Sequence, residues 1–183
     1  MKNYIIIKNF ISSEECDNIL NKCKKNLKLS DGIIGTRDVA FKSVRKSSTG
    51  FVKNILEIDD RIREVVNDHV HLKGYDCTQF EYYQFTEYKE GEYYHWHTDS
   101  APNTLFSNRL CSMVIQLNDE YDGGNLELKI EENEIELERG KGNLYLFYSN
   151  ITHRVTPIIK GTRYSLVNWI APEKNNNYKK TLL

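Results

Sequence analysis

Two periods of hydrophobicity divide the chain. Up to about residue 70 apolar positions recur every three or four residues in two blocks; from Cys77 onward they alternate with polar ones. In the first block Cys16, Ile19, Leu20, Cys23 and Leu27 form one stripe. It follows Ser12 and Glu15, which have the spacing of a capping box, with Phe10 or Ile11 as the staple. In the second, Ile62, Val65, Val66 and His69 follow Asp59 or Asp60, either of which can cap a helix, and Gly74 closes the region. Both blocks predict amphipathic helices packed on something larger. Tyr4 to Ile7 is β-branched and aromatic enough for a strand. Between the helices, Ser30-Asp31-Gly32, Gly35 and Ser47-Ser48-Thr49-Gly50 break any long period, which predicts strand fragments over 33–34 and 39–44 joined by loops.

The second half changes to period two. Thr78, Phe80, Tyr82 and Gln84 alternate with Gln79, Glu81, Tyr83 and Phe85, as in a half-buried strand running from Cys77 to Tyr88 whose tyrosines reach a cavity or water. Further strands are expected over 110–117, 125–130, 134–137, 143–148, 151–158 and 163–170. The turn signals between them are Asp122-Gly123-Gly124, Glu131-Glu132-Asn133, Arg139-Gly140-Lys141-Gly142 and Lys160-Gly161. The acidic run from Glu127 to Glu138 reads as an exposed hairpin. Many short antiparallel strands at this spacing imply a sandwich, barrel or jelly roll. At 183 residues the chain is long enough for one core and short for two. The expectation is therefore a mainly β fold with α: one domain over 1–183, with supporting helices, strands and loops in 1–76, the β core in 77–171 and a frayed tail in 172–183.

Composition narrows the partners. The 25 basic residues are interspersed with 26 acidic ones for a net charge of −1, so no global field attracts nucleic acid or anionic lipid. The apolar run at Tyr4 to Ile7 ends at Lys8, too short for a signal peptide, and no stretch suits a membrane span. A cytoplasmic protein with neither nucleic acid nor membrane as partner is expected; the oligomeric state is left open. Cys16 and Cys23 stand two helical turns apart, too far to bridge, and Cys77 and Cys111 lie in strand-like runs, which predicts four reduced, mostly buried thiols.

The candidate chemistry gathers at Tyr88 to Asp99. In a strand His97 and Asp99 project to one face with Cα atoms roughly 6.5 Å apart, a pair that is a surface ion pair or two ligands of a metal. His153 opens a later strand, and Arg163 and Ser165 share a face of the next. Two histidines and one carboxylate make the facial set that holds Fe(II) with its opposite positions open. Taken by itself, Arg163 can be a cross-strand partner of one of the many glutamates. His95 would share the face of His97 and Asp99, beside the metal, in solvent or exchanging roles with His97. Trp96 and Trp169 are read as core or cavity wall.

Four ordered motifs over about residues 77–171 carry a family resemblance. They are Tyr88-x-x-Gly91-x-x-Tyr94-x-x-His97-x-Asp99; Asp122-Gly123-Gly124-Asn125-Leu126; Gly142-Asn143-Leu144-Tyr145-Leu146-Phe147 running to His153-Arg154-Val155-Thr156-Pro157; and Gly161-Thr162-Arg163-Tyr164-Ser165. Together they resemble the iron(II) and 2-oxoglutarate dependent dioxygenases of the prolyl 4-hydroxylase group. The resemblance implies a double-stranded β-helix (jelly roll) core supported by N-terminal helices. It implies Fe(II) on His97, Asp99 and His153, with O2 and 2-oxoglutarate as co-substrates and ascorbate as reductant. Arg163 and Ser165 would meet the distal carboxylate of 2-oxoglutarate, and Tyr88 would donate a hydrogen bond to it, with Tyr82 a second candidate. The implied reaction hydroxylates a prolyl or other residue in a protein or peptide while 2-oxoglutarate loses CO2 to give succinate. Hydroxylation of a free amino acid or small metabolite is the alternative within the class; a non-catalytic metal-binding jelly roll and a zinc hydrolase are the alternatives outside it. Asn125 could contact either substrate, and the basic stretch 36–53 and the stretch 100–108 are candidate lids.

Overall fold

The computed structural model describes residues 3–32, 42–53, 55–69, 75–102 and 106–174. The capping box forms as its spacing requires: the Glu15 amide donates to Ser12 Oγ and the Ser12 amide to Glu15 Oε2, starting helix α1 (Ser13–Asn26). Helix α2 (Leu56–His69) begins earlier than the aspartates suggest. Asp59 lies inside its first turn, where its carboxylate accepts from the Ile55 amide and the Tyr83 hydroxyl, and His69 is exposed rather than part of the apolar stripe.

Among the described residues the strands are, in chain order, β1 (Tyr4–Ile7), β2 (Ser30–Asp31), β3 (Arg45–Lys46), β4 (Ser48–Val52), β5 (Tyr75–Phe80), β6 (Tyr83–Tyr88), β7 (Tyr93–His97), β8 (Cys111–Gln116), β9 (Tyr121–Gly123), β10 (Leu126–Ile130), β11 (Asn133–Glu136), β12 (Leu144–Tyr148), β13 (Thr152–Val155), β14 (Ile158–Gly161) and β15 (Arg163–Lys174). The major sheet runs β1-β12-β8-β15-β6-β4-β2 with β5 also on β15; the minor sheet runs β11-β10-β13-β7-β3; β14 and β9 form a third ribbon. All the pairings are antiparallel, and strands far apart in sequence lie side by side, which is the jelly-roll arrangement.

The major sheet is covered on both faces. Phe85, Met113, Ile115, Leu166 and Ile170 pack under Cys16 and Ile19 of α1 and Ile58, Ile62 and Val66 of α2. Its other face contributes Tyr88, Val114, Tyr145 and Phe147 to a second cluster, shared with Leu128 and Val155 of the minor sheet. A strand such as β8 is consequently buried at every position, and period-two alternation separates helix-facing from interior residues rather than core from water.

Several sequence expectations need correction. The strand expected over Cys77 to Tyr88 breaks at Glu81 and Tyr82, where the Glu81 amide bonds the Trp169 carbonyl and the Asn168 side chain bonds the Glu81 carbonyl. Fragments 33–34 and 39–41 lie outside the described residues, and 42–44 is a turn. Instead of a loop insertion, the following segment is woven into the fold, β3 pairing β7 in the minor sheet and β4 pairing β6 in the major one. Strand β15 continues to Lys174 against β5, so the tail begins later than 172, and 175–183 lies outside the described residues. Cys16, Cys23 and Cys111 are buried free thiols, and burial pushes the first two up to about 11; the Cys77 side chain is outside the described residues. Among the described residues no helix is long and apolar enough to cross a membrane.

Since α1 and α2 cover the helix-facing side of the sheet, Ile62→Ala is expected to lower unfolding free energy by about 2–5 kcal/mol and Ser12→Ala by about 1 kcal/mol. Denaturant titration measures both, and each variant should keep the metal affinity of the unaltered chain.

Candidate active site

The site is built first on one cross-strand pair. Strands β13 and β7 place His153 directly opposite His97, and β10 on the far side of β13 places buried Leu128 opposite His153. Asp99 follows two residues after His97, where its amide and that of Ser100 donate to the Ser149 carbonyl. This anchors the loop after β7 to the end of β12, so that the carboxylate reaches back between the imidazoles. His97 Nε2 lies 3.6 Å from Asp99 Oδ1 and His153 Nε2 lies 3.4 Å from Asp99 Oδ2. The ligand atoms of the three residues all fall within 4.8 Å of one another.

Each imidazole is oriented by its own strand. His97 Nδ1 donates to the His95 carbonyl at 2.8 Å, and His153 Nδ1 to the Ile151 carbonyl at 2.9 Å. In each neutral ring the proton therefore sits on Nδ1, and the Nε2 lone pair is turned inward as metal binding requires. Tyr94 stacks on His97 at 3.5 Å and Phe147 meets His153 edge-on at 4.8 Å, so both rings are also fixed by packing. Ser112 Oγ donates to Asp99 Oδ2 at 2.6 Å and lies 2.9 Å from Ser149 Oγ. Residue type alone does not mark Tyr94, Ser112, Ser149 or Phe147 as parts of a metal centre; the signal the sequence carries is that Tyr94 stands in the His-x-Asp motif and Phe147 in the one that runs to His153.

A bulge separates His95 from this group. The register of β13 on β7 passes from His153 opposite His97 to Val155 opposite Tyr94, so a residue is gained between the two pairs. Tyr94 takes the position that strict alternation assigns to His95. His95 is exposed, against Tyr93 at 4.6 Å, and is outside the ligand cluster, which overturns the exchange of roles with His97. Trp96 lies under the Arg154 guanidinium at 4.3 Å, and Trp169 is buried under that of Arg109 at 3.9 Å.

Burial sets the electrostatics. It pushes the His97 imidazole down to about 3, with His153 adding to the effect. Burial alone would raise the Asp99 carboxyl, but the attraction and hydrogen bond of His153, then His97 and Ser112, outweigh it and hold the group below the usual carboxylate range. Burial likewise opposes a charge on His153, and Asp99 outweighs it, so this imidazole is raised. Without a metal the pair is thus an ion pair of His153 and Asp99 beside a neutral His97.

The second part of the site stands on β15. Arg163 is 1 % exposed and lies opposite Tyr88 of β6, whose ring centroid is 5.6 Å from its guanidinium carbon. Its Nη1 donates to Ser165 Oγ at 3.1 Å; its Nε and Nη2 are buried with no hydrogen-bond partner. This decides against the glutamate-partner reading. A guanidinium out of water with two donor atoms unpaired is costly, at about 1–3 kcal/mol or more for each unmet group, and an anion placed against it would meet both. Tyr88 faces this interior and is buried, whereas Tyr82, at the break between β5 and β6, is 56 % exposed. Tyr82 is thereby removed from the face it would share with Tyr88 in an unbroken strand, a correction to the sequence expectation. Asn125, which could contact either substrate, has its Oδ1 accepting from Arg139.

Two outcomes follow for a metal bound at the triad. Ser112→Ala, which frees Asp99 to rotate, should weaken Co(II) binding about 10–100-fold, read from the visible absorption of the bound ion. Because His153 must lose a proton to become a ligand, Co(II) affinity should rise by about one decade per pH unit from pH ~6 until that raised group is neutral, then level off. His97 is neutral over this window and adds no slope.

With that geometry in view, residues 83–171 match the family model described as the 2OG-Fe(II) oxygenase superfamily. A PKHD-type hydroxylase from Idiomarina loihiensis is 29% identical over 97 residues, which are 52% of this chain and 44% of that protein, so the chain spans about half the length of the curated relatives it matches. A Pseudomonas putida prolyl-4-hydroxylase superposes with a TM-score of 0.72 at 22% identity, covering 92% of each chain. A Trichoplax adhaerens prolyl hydroxylase, in complex with a peptide fragment of the hypoxia inducible factor oxygen degradation domain, superposes with a TM-score of 0.77 at 20% identity, covering 100% of this chain and 88% of that one. His97, Asp99, His153 and Arg163 all fall inside the segment that matches the 2OG-Fe(II) oxygenase superfamily, and the chain has the jelly-roll fold of the solved prolyl hydroxylases.

Proposed function

We propose that this chain is an Fe(II)- and 2-oxoglutarate-dependent dioxygenase that hydroxylates a prolyl or other residue in a protein or peptide, with 2-oxoglutarate converted to succinate and CO2. The observation that carries this reading is Arg163, buried with two guanidinium nitrogens unpaired and set beside Tyr88, a member of the interior apolar cluster whose Phe147 packs on His153. A structural metal gives no reason for such a cation. A dicarboxylic acid does, with one end at the metal and the other on the guanidinium fork.

In this reading His97, Asp99 and His153 hold the iron on one side and leave the opposite positions open. The bound iron and 2-oxoglutarate supply the oxidising chemistry toward a C–H bond, and the chain supplies position and dryness. Arg163 and Ser165 receive the distal carboxylate, and Tyr88, opposite Arg163 in register, offers its hydroxyl as a donor to the co-substrate. Phe147, Val155 and Leu128 line the interior without polar atoms and exclude water. Residues 77–171 form the catalytic core, 1–76 its support, and ascorbate serves to keep the iron ferrous. The peptide bound to the Trichoplax neighbour favours a peptide substrate over a free amino acid or small metabolite.

Anaerobic addition of Fe(II) and 2-oxoglutarate should produce a weak visible charge-transfer band, and admission of O2 with ascorbate should yield succinate. His153→Ala should abolish both. Arg163→Gln should keep metal binding and raise the 2-oxoglutarate concentration needed for the band by about 100-fold, the ~3 kcal/mol scale of a lost charge-assisted contact. Metal binding with no band at any 2-oxoglutarate concentration would instead identify a non-catalytic metal-binding module.

A further inference from the structure

Arg139 stands in the link between β11 and β12, outside all four sequence motifs. Its Nη1 donates to the Tyr121 carbonyl, and its Nη2 to the Gly123 carbonyl and, at 2.5 Å, to Asn125 Oδ1. Its guanidinium carbon lies 4.1 Å from the Tyr121 ring centroid. One side chain therefore ties both ends of the turn between β9 and β10. A planar fork reaches three acceptors in fixed directions; an ammonium has no comparable fork.

That turn packs against the Arg163 side chain. Gly123 and Gly124 both have positive φ, +70° and +62°, so the backbone folds back tightly. A Cβ on Gly124 would come within 2.3 Å of Ile158 Cδ1, 3.0 Å of the Tyr121 ring and 3.3 Å of Arg163 Cδ. The backbone of Gly124 thus lies against the aliphatic stem of Arg163. From the far side the turn is held by the Gly124 amide on the Pro157 carbonyl and by the Asn125 amide on Thr156 Oγ1. With the Thr156 amide on the Asn125 carbonyl, three attachments come from the β13–β14 link and a cluster of three from Arg139.

We infer that Arg139 is a positioning residue for the co-substrate: by clipping the Tyr121–Asn125 turn it presses Gly124 against the stem of Arg163 and fixes the direction of that guanidinium. Arg139 touches neither the triad nor Arg163's nitrogens in the contacts described, so its effect passes through the turn. The metal ligands stand on β7, on β13 and in the loop after β7, none of which Arg139 holds. Its loss should therefore separate two properties that general loosening would lower together. The inference rests on the reading of Arg163 as the 2-oxoglutarate residue.

The test is calorimetric titration of 2-oxoglutarate into the Co(II)-loaded full chain, with Co(II) affinity measured separately by visible absorption. Arg139→Gln should weaken 2-oxoglutarate binding about tenfold or more, the scale for losing an outer partner of a ligand-holding group, while Co(II) affinity stays that of the unaltered chain. Arg139→Lys, which keeps the charge and loses the fork, should fall between the two. Gly124→Ala, which leaves Arg139 intact and pushes a methyl onto Ile158 and Arg163, should reproduce the selective loss. In turnover the same variants should raise the KM for 2-oxoglutarate and spare kcat. Unchanged 2-oxoglutarate affinity in Arg139→Gln, or parallel loss of Co(II) and 2-oxoglutarate, would overturn the inference and leave the function standing. Absence of 2-oxoglutarate binding to the unaltered chain would overturn the reading of Arg163 itself, and this inference with it.

Discussion

Two imidazoles face one carboxylate across an antiparallel strand pair, and most of the molecule serves that meeting. Like-directed histidines on adjacent strands repel when charged, and a carboxylate removed from water is unfavourable alone. Here the Nδ1 protons are tied to backbone carbonyls, the aspartate is bonded by Ser112, and its charge is answered by His153. The result is a site whose ligand atoms converge before any ion arrives, so that once His153 has given up its proton little reorganisation is left for the binding step.

The two sheets divide the labour. The minor sheet carries His97 and His153; the major sheet carries Ser112, Arg163, Ser165 and Tyr88. What joins them is the apolar cluster of Val114, Tyr145, Phe147, Leu128 and Val155, dense enough that Phe147 also buttresses His153. Helices α1 and α2 close the opposite face of the major sheet. They pack on β8, β15 and β6, and the β15–β6 pairing sets Arg163 opposite Tyr88.

Irregularities in the strands have consequences as large as the regular pairing. The bulge in β7 brings Tyr94 onto His97 and sends His95 to solvent; the break at Glu81 and Tyr82 turns Tyr82 outward. Each changes which side chains share a face, since a one-residue slip inverts every position beyond it.

Much was legible in the chain itself. Ser12 and Glu15 cap a helix because the three-residue spacing makes both bonds local, and His97-x-Asp99, His153 and Arg163-x-Ser165 carry their chemistry in residue type and order. The period-two half specified a layered β fold because alternation is a property of each strand alone. Tertiary structure decided what depends on neighbours distant in sequence: that His153 lies opposite His97, that Ser112 bonds Asp99, that α2 starts at Leu56, and that Arg163 is buried with donors to spare. Bulges, registers and unmet donors are relations between strands, and no single stretch of residues contains them.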